Sequence, residues 1–408
     1  MDTLVNRFRS NSLDANIWKV YLYRFFGSFV FTMPVWVLYL QDLGISLTQV
    51  MILHAVYTLI ILFLTIPFGA LADLKGRKYV LIISQIAVVI GYIVYIISDT
   101  FFGFLIGEIL FGISTASFFG VLEALIYDTL KQTKNIKSYK KVQGNTYAIN
   151  DFLLGFGGLL GAFIAAAISK QFTFIVSLVP LMFALILLFW IKEPKHSTRI
   201  YQANYFTHIK ETFKFASNHV QVRRIIIFSA LIGTFTFVTF LMNSVYFEKN
   251  GISIQYIGLL YTVMFTFSAL GAKIYHLIEK KLDNHFSSMA GKLVPLIIIG
   301  IPALFLTLCY FVNPWLGVPL VILVWLSSVG FRATYVADFI NKHISSHHMA
   351  TVMSINVMIG NIFFAIVSPI FGKIADLRSV PFVYMIMGIV LMVYLGFNIM
   401  MNRTAQGP

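Results

Sequence analysis

The sequence predicts an all-α integral membrane protein with twelve transmembrane helices in two halves of six. Of its 408 residues, 59% are hydrophobic and only 11% are charged, whereas soluble domains carry about 25% charged residues. The apolar runs are about 20 residues long, the length of a spanning helix and about twice that of a barrel strand. Because lipid offers no partner to free backbone groups, these runs must be helical.

The net charge of +14 is explained by membrane orientation and does not indicate nucleic-acid binding. If the spans alternate across the bilayer, 23 of the 30 Lys and Arg residues fall on one side, four on the other and three within spans. Since cytoplasmic loops carry the positive excess, both termini are predicted to be cytoplasmic. We expect the protein in the cytoplasmic (inner or plasma) membrane of a bacterium. No cleaved signal peptide is predicted, and the single Cys309 excludes an intramolecular disulfide.

The spans follow one another with short connections and one long polar interruption. This interruption, at 192–224, contains the segment Tyr205–Phe215, whose apolar spacing predicts a helix on the membrane surface. The predicted domains are an N-terminal six-helix bundle at 1–191, a cytoplasmic linker at 192–224 and a C-terminal six-helix bundle at 225–408. The predicted spans are about 17–40, 49–70, 79–98, 101–127, 144–168, 172–191, 225–247, 254–278, 293–312, 315–340, 351–372 and 381–401.

The stretch between spans two and three is the most informative part of the chain. It reads Gly69-Ala-Leu-Ala-Asp-Leu-Lys-Gly-Arg-Lys-Tyr-Val-Leu81. This pattern resembles the loop motif of the major facilitator superfamily, and Leu74 departs from it at a position that is often arginine. The resemblance implies two pseudo-equivalent halves with substrate bound between them. It also implies that spans one, four, seven and ten surround a central cavity.

Two further stretches resemble signatures of bacterial drug-efflux-like members of that superfamily. They are Glu123–Lys131, which closes span four, and Asn341–Ser354, in which Met349 stands where arginine is common. The run Gly155–Gly161 partly resembles the span-five motif of proton-coupled antiporters but lacks its proline. The same glycines are equally consistent with close helix packing.

The loop motif is predicted to form a cytoplasmic latch that opens and closes during transport. An acid and two bases in a tight turn can join helix ends by ion pairs, and glycines allow the backbone to turn or to approach a neighbour. By the resemblance, Asp128 pairs with Arg77, and Asp73 caps the start of span eleven, where an anion is favourable. The predicted gating residues are Gly69, Asp73, Gly76, Arg77, Lys78 and Asp128.

Charged groups inside spans are costly and are functional candidates by default. Glu108 lies about 10 Å inside span four, and the helical period directs Glu123 to broadly the same face. Glu108, Asp151 and Glu123 are the proton-coupling candidates, and Arg24 and Arg332 are the candidate charge partners or substrate contacts. Permanently paired structural carboxylates, and an Arg24 that reaches the interface, are the alternatives.

These features predict a secondary transporter that works by alternating access and exports lipophilic or cationic small molecules in exchange for protons. Proton-coupled uptake of a nutrient or metal chelate is the main alternative, and a non-transporting receptor or scaffold is a remote one. The sequence contains no phosphate-binding loop, no nucleophile–base set and no metal-ligand spacing, so no enzyme activity, cofactor or metal is predicted. The expected partners are the substrate, protons and lipid, without nucleic acid, and the protein is expected to be a monomer.

Overall fold

The computed structural model describes residues 13–195, 219–283, 296–343 and 346–404. All regular structure in these ranges is helical, which confirms the predicted all-α fold. By length and composition, ten helices among the described residues can cross a membrane. A shorter apolar helix at Leu296–Phe311 corresponds to predicted span nine. The predicted surface helix at Tyr205–Phe215 lies outside the described residues.

The chain divides into two units, which are residues 1–45 with 53–202, and residues 46–52 with 203–408. In the first unit α4 packs against α5 and α8, and α1 packs against α7 and α8. The helices of the first half are α1 Asn16–Ser28, α2 Trp36–Asp42, α3 Leu47–Lys75, α4 Arg77–Ile97, α5 Phe101–Phe118, α6 Val121–Gln132, α7 Tyr139–Ala167 and α8 Lys170–Trp190.

In the second unit α9 packs against α14, and α11 packs against α15. Two stretches are wound as π-helix, Leu296–Gly300 and Leu326–Phe331, and the second lies between α12 and α13. The helices are α9 Val220–Lys249, α10 Ile254–Asp283, α11 Ile301–Phe311, α12 Pro314–Trp325, α13 Arg332–His343, α14 Ser346–Leu377 and α15 Val380–Thr404.

Predicted span one is interrupted, because α1 ends at Ser28 and α2 begins at Trp36. Two side chains of other helices bond the intervening segment. Phe31 N donates to Ser177 Oγ of α8 (2.9 Å), and the hydroxyls of Thr32 and Tyr92 lie 3.0 Å apart. Non-helical backbone at membrane depth is tolerated only where the protein supplies such partners.

Two glycines of α7 lie in close contact with the non-helical segment between α1 and α2. A Cβ added at Gly161 would lie 1.8 Å from the carbonyl oxygen of Phe31, and one added at Gly157 would lie 2.4 Å from that of Val30. Real Cβ atoms essentially never approach backbone so closely. The glycine-rich run therefore packs two backbones together in this unit, as the packing alternative predicts.

Predicted span four is also divided, into α5 and α6. The break lies at Phe119 and Gly120, and Gly120 has φ +77°, a left-handed conformation that favours glycine. The two helices therefore do not share one uninterrupted helical register. Any prediction that extends a helical wheel from α5 into α6 fails at this glycine.

Candidate functional site

The loop motif brings one arginine between two carboxylates. Arg77, the first residue of α4, donates from Nη1 to Asp73 Oδ1 (2.7 Å) and from Nε to Asp128 Oδ2 (2.9 Å). The Arg77 side chain is only 14% exposed, so water screens these pairs incompletely. Asp73 comes from the end of α3 and Asp128 from α6. The arginine therefore joins three helices of the first unit.

Glu193, which the sequence analysis did not single out, caps the same helix. Its two carboxylate oxygens accept from the backbone N–H groups of Arg77 (2.8 Å) and Lys78 (2.7 Å). Gly76 makes this approach possible, because its φ is +107° and an added Cβ would lie 3.0 Å from the Glu193 carboxyl carbon. A helix N-terminus with free N–H groups favours such an anion.

Two lysines bond the C-terminal carbonyls of α8 beside this cap. Lys78 Nζ donates to the carbonyl of Phe189 (2.8 Å), and Lys19 Nζ donates to that of Trp190 (2.7 Å). Cations are favourable at a helix C-terminus. Gly69 lies inside α3, and among the described residues a Cβ added there would meet nothing within 4 Å. Its predicted gating role stays a prediction.

Removal of the Glu193 carboxylate is expected to destabilise the first unit. Glu193→Ala leaves two N–H groups of α4 without their acceptor, and loss of a helix cap costs about 0.5–2 kcal/mol. The melting temperature of the purified protein in detergent should fall. The matched control is Asp42→Ala, which removes a carboxylate that is 54% exposed and paired with Lys170. Because Asp42 itself is open to water, its loss should cost less than the loss of the cap. Equal melting temperatures for the two variants would contradict the capping role.

A second polar cluster lies inside the first unit around Glu108. The Glu108 residue is 2% exposed, and its Oε1 accepts a hydrogen bond from the Tyr95 hydroxyl at 2.6 Å. Its Oε2 lies 3.9 Å from His54 Nδ1. The Tyr95 ring packs against those of Phe104 and Phe111, with centroids 4.9 and 5.3 Å away. The carboxylate is thus enclosed by aromatic side chains and faces one imidazole.

His54, on α3, was not identified from the sequence because a lone histidine in an apolar run has no distinctive spacing. Its ring lies between those of Trp36 and Tyr57, with centroid distances of 5.6 and 4.8 Å. The hydroxyls of Tyr57 and Thr115 lie 3.1 Å apart. Helices α2, α3, α4 and α5 therefore each contribute to the Glu108 cluster, which we define as Glu108, His54, Tyr95, Tyr57 and Trp36.

A third cluster joins α1, α6 and α7. The guanidinium of Arg24 lies 4.8 Å from the ring centre of Phe118 and interacts electrostatically with Glu123 and Asp151. Asp151 Oδ1 accepts a hydrogen bond from Asn150 Nδ2 at 2.8 Å. Both carboxylates therefore act electrostatically on the Arg24 guanidinium. The pairing of Arg24 with a coupling carboxylate stays a prediction.

One oxygen of Glu123 faces polar groups of α7. Oε1 lies 3.3 Å from the Tyr147 hydroxyl and 3.5 Å from Gln143 Nε2. Oε2 is buried and makes no hydrogen bond within the described residues. The prediction that Glu108 and Glu123 face one space is wrong in this unit, because the break at Gly120 separates them and each has partners on different helices.

In the second unit, Arg332 is the charged group nearest the middle of its predicted span. Its Nε donates to the carbonyl of Ser328 (3.0 Å), and its Nη1 donates to Ser229 Oγ (3.2 Å). The guanidinium is thus held by the Ser229 hydroxyl and by the carbonyls of Ser229 and Ser328, and not by a carboxylate of the described residues. Among the described residues, no group of three or more His, Cys, Asp or Glu side chains could hold a metal ion.

These helices and buried charges define a multi-pass membrane transporter. A sequence profile described as Major Facilitator Superfamily matches residues 20–368. The chain therefore belongs to the major facilitator superfamily. Over 214 residues it is 27% identical to an uncharacterised transporter of Buchnera aphidicola subsp. Schizaphis graminum (strain Sg). That match covers 50% of each sequence, so the chain spans about half the length of this curated relative.

Solved structures of transporters share the fold. The nucleoside transporter NupG aligns with a TM-score of 0.72 and 15% identity, over 95% of this chain and 98% of that chain. A point mutant of NupG gives a TM-score of 0.76, also at 15% identity, with 95% and 99% covered. A POT family transporter in complex with 5-aminolevulinic acid gives 0.69 at 14% identity, with 94% and 95% covered. At these identities the likeness concerns the fold.

Proposed function

We propose that this protein is a proton-coupled secondary transporter in which Glu108 carries the proton. The observation that supports this role is the enclosure of the Glu108 carboxylate between the Tyr95 hydroxyl (2.6 Å) and the His54 imidazole (3.9 Å). A buried carboxylate is costly as an isolated ion. It is tolerated either as a neutral acid or beside a protonated imidazole. Glu108 and His54 together can therefore gain or lose a proton.

Alternating access turns such a group into a coupling device. A site that binds a proton from one side and releases it to the other couples proton flow to the conformational change. The Glu108 cluster satisfies the chemical part of this requirement through two titratable groups and two tyrosine hydroxyls. In this proposal Arg77, Asp73 and Asp128 form the latch that holds one conformation, and Asp73 also caps span eleven, as the family motif implies.

The proposed direction is export of lipophilic or cationic small molecules from a bacterial cytoplasm. The glycine-rich run Gly155–Gly161 and the two stretches that resemble drug-efflux-like members support the direction. The cationic cargo is supported by the third cluster, in which the carboxylates of Glu123 and Asp151 interact electrostatically with Arg24. A surplus carboxylate favours a cation, and aromatic side chains such as Phe156 on the same helix suit lipophilic or cationic guests. The predicted cytoplasmic termini are part of this proposal. The neighbours' names concern nucleosides and 5-aminolevulinic acid for those proteins, and uptake is therefore the competing direction.

Transport in inside-out vesicles tests the proposal. An imposed pH gradient is monitored with a pH-sensitive dye while lipophilic cations, neutral drugs and nutrients are added in turn. We expect collapse of the gradient on addition of a cationic substrate in wild type and no collapse in Glu108→Gln. Asp151→Asn should raise the concentration of the cationic substrate that is needed to collapse the pH gradient. The control is Asp42→Asn, which makes the same chemical change at an exposed carboxylate.

Each outcome has a distinct meaning. Equal gradient collapse in wild type and Glu108→Gln would exclude Glu108 as the coupling group. No response of wild type to any compound, with substrate accumulation in right-side-out vesicles, would replace export by uptake of a nutrient or metal chelate. No transport in either orientation by well-folded protein would favour a receptor or scaffold.

A further inference from the structure

The guanidinium of Arg332 is held rigidly at the start of α13. The π-helical turn Leu326–Phe331 ends directly before it, and π-bulges are frequent at functional sites. Arg332 Nε donates to the Ser328 carbonyl one turn earlier (3.0 Å). Nη1 donates to the hydroxyl (3.2 Å) and the carbonyl (3.5 Å) of Ser229 on α9. Ser229 and Ser328 are 4% and 1% exposed, so both anchors are fixed by packing.

A glycine on α9 also contacts the guanidinium of Arg332. Gly233 lies one turn after Ser229, and a Cβ added there would lie 3.2 Å from Arg332 Nη1 and 3.5 Å from its Cζ. The guanidinium therefore lies against the bare backbone of α9. A larger residue at Gly233 would crowd the group. Helix α9 and the π-helical turn therefore both restrain the orientation of the planar guanidinium group.

The positive charge has no carboxylate partner in the described ranges of the chain. No Asp or Glu there lies within ion-pair distance of Arg332. Its Nη2 donates to no protein group among the described residues. Arginine stays charged in proteins, and an uncompensated charge within a span is costly. A purely structural link between α9 and α13 needs hydrogen bonds but no such charge.

We propose that Arg332 binds an anionic group, a carboxylate or phosphate, of the transported molecule. Fixed N–H donors in a planar fork match the two oxygens of such a group, and the charge adds strength to the hydrogen bonds. This inference rests on the proposed transport function and narrows its cargo.

Binding to purified full-length protein in lipid nanodiscs tests this inference separately from transport. The probes are two matched pairs, phenylalanine with its methyl ester, and a nucleoside monophosphate with its nucleoside. The melting temperature is recorded as a function of probe concentration, since ligand that binds the folded protein raises it. The first pair reports on carboxylate and the second on phosphate.

Wild type should bind the member with the free carboxylate or phosphate in at least one pair about 10-fold to 100-fold more tightly than the member without it, as charge-assisted hydrogen bonds predict. Arg332→Gln should abolish that preference, and Arg332→Lys should retain part of it. Lys273→Gln, which removes an exposed lysine of the same unit, should bind like wild type. The melting temperature of each unliganded variant shows that it is folded.

Three results would overturn the proposal. They are no binding of phenylalanine or the nucleoside monophosphate to wild type, no preference within either pair, or the same preference in Arg332→Gln. The vesicle assay separates this failure from that of the proposed function. If transport is proton-coupled but binding shows no Arg332-dependent preference, the anion site is rejected and the proposed transport function is retained. If binding depends on Arg332 but no protons move, the proposed proton coupling is rejected and the anion site is retained.

Discussion

Replacement of Gly161 by alanine is expected to destabilise the first unit more than any other single methyl group added to α7. The new Cβ would lie 1.8 Å from the carbonyl oxygen of Phe31, and a backbone group can move only if the helices separate. Overpacking typically costs about 1–3 kcal/mol and occasionally more, and we expect the upper end. A loss of about 3 kcal/mol corresponds to a melting temperature lower by roughly 6–12 °C in a unit of this size.

The same helix provides the control for this measurement. A Cβ added at Gly155 meets nothing within 4 Å, and alanine has a higher helix propensity than glycine by about 1 kcal/mol. Gly155→Ala should therefore leave the melting temperature unchanged or raise it slightly. A Cβ added at Gly157 would lie 2.4 Å from the carbonyl oxygen of Val30. The melting temperature of Gly157→Ala should therefore lie between those of Gly161→Ala and Gly155→Ala. Identical melting temperatures for Gly161→Ala and Gly155→Ala would contradict the close packing of α7 on the interrupted span.

Replacement of Arg77 by glutamine is expected to have the second-largest effect. It leaves Asp73 and Asp128, whose side chains are 28% and 20% exposed, without their common partner. Breaking a fully buried pair costs about 3–5 kcal/mol. Because these groups retain some contact with water, we expect about 2 kcal/mol. Denaturant unfolding in detergent measures this loss, and the vesicle assay measures the accompanying loss of transport.

Two further variants distinguish a specific latch from a general effect of charge. Lys75→Gln removes an exposed cation two residues away and should change neither stability nor transport. Asp128→Asn combined with Arg77→Gln should cost less than the sum of the single variants, because the two side chains interact directly. Additive losses, or an equal loss in Lys75→Gln, would show that the ion pairs do not hold the helices together.

The apolar runs were sufficient to predict the fold, and the two departures from the predicted spans have a common physical cause. An apolar composition shows that a segment can lie in lipid, but it does not show that the helix is continuous. Span one is interrupted where Ser177 of another helix accepts the hydrogen bond of the Phe31 backbone N–H, and Tyr92 bonds the side chain of Thr32. Span four is interrupted at Gly120. Neither partner set is visible in the local sequence.

The candidate site was predictable only where a local motif carries it. The resemblance of the loop motif to that of the superfamily implied a pair of Arg77 with Asp128, and the structure brings them to 2.9 Å. His54 and Glu193 were missed because their partners lie 54 and about 115 residues away in the chain. An acidic residue two positions after span six, beside Pro194, is the signal that could have indicated the Glu193 cap.

The interruption of span one has a consequence for how the protein enters the membrane. Helix α1 has 13 residues and is about 20 Å long, whereas the hydrocarbon core is about 30 Å thick. In the folded protein this span therefore does not cross the bilayer as one helix whose backbone groups are all satisfied within the helix. Its free backbone groups gain the hydroxyl of Ser177 only after α8 has been synthesised. Stable integration of the first span thus depends on the sixth, and the first half must mature as one cooperative unit.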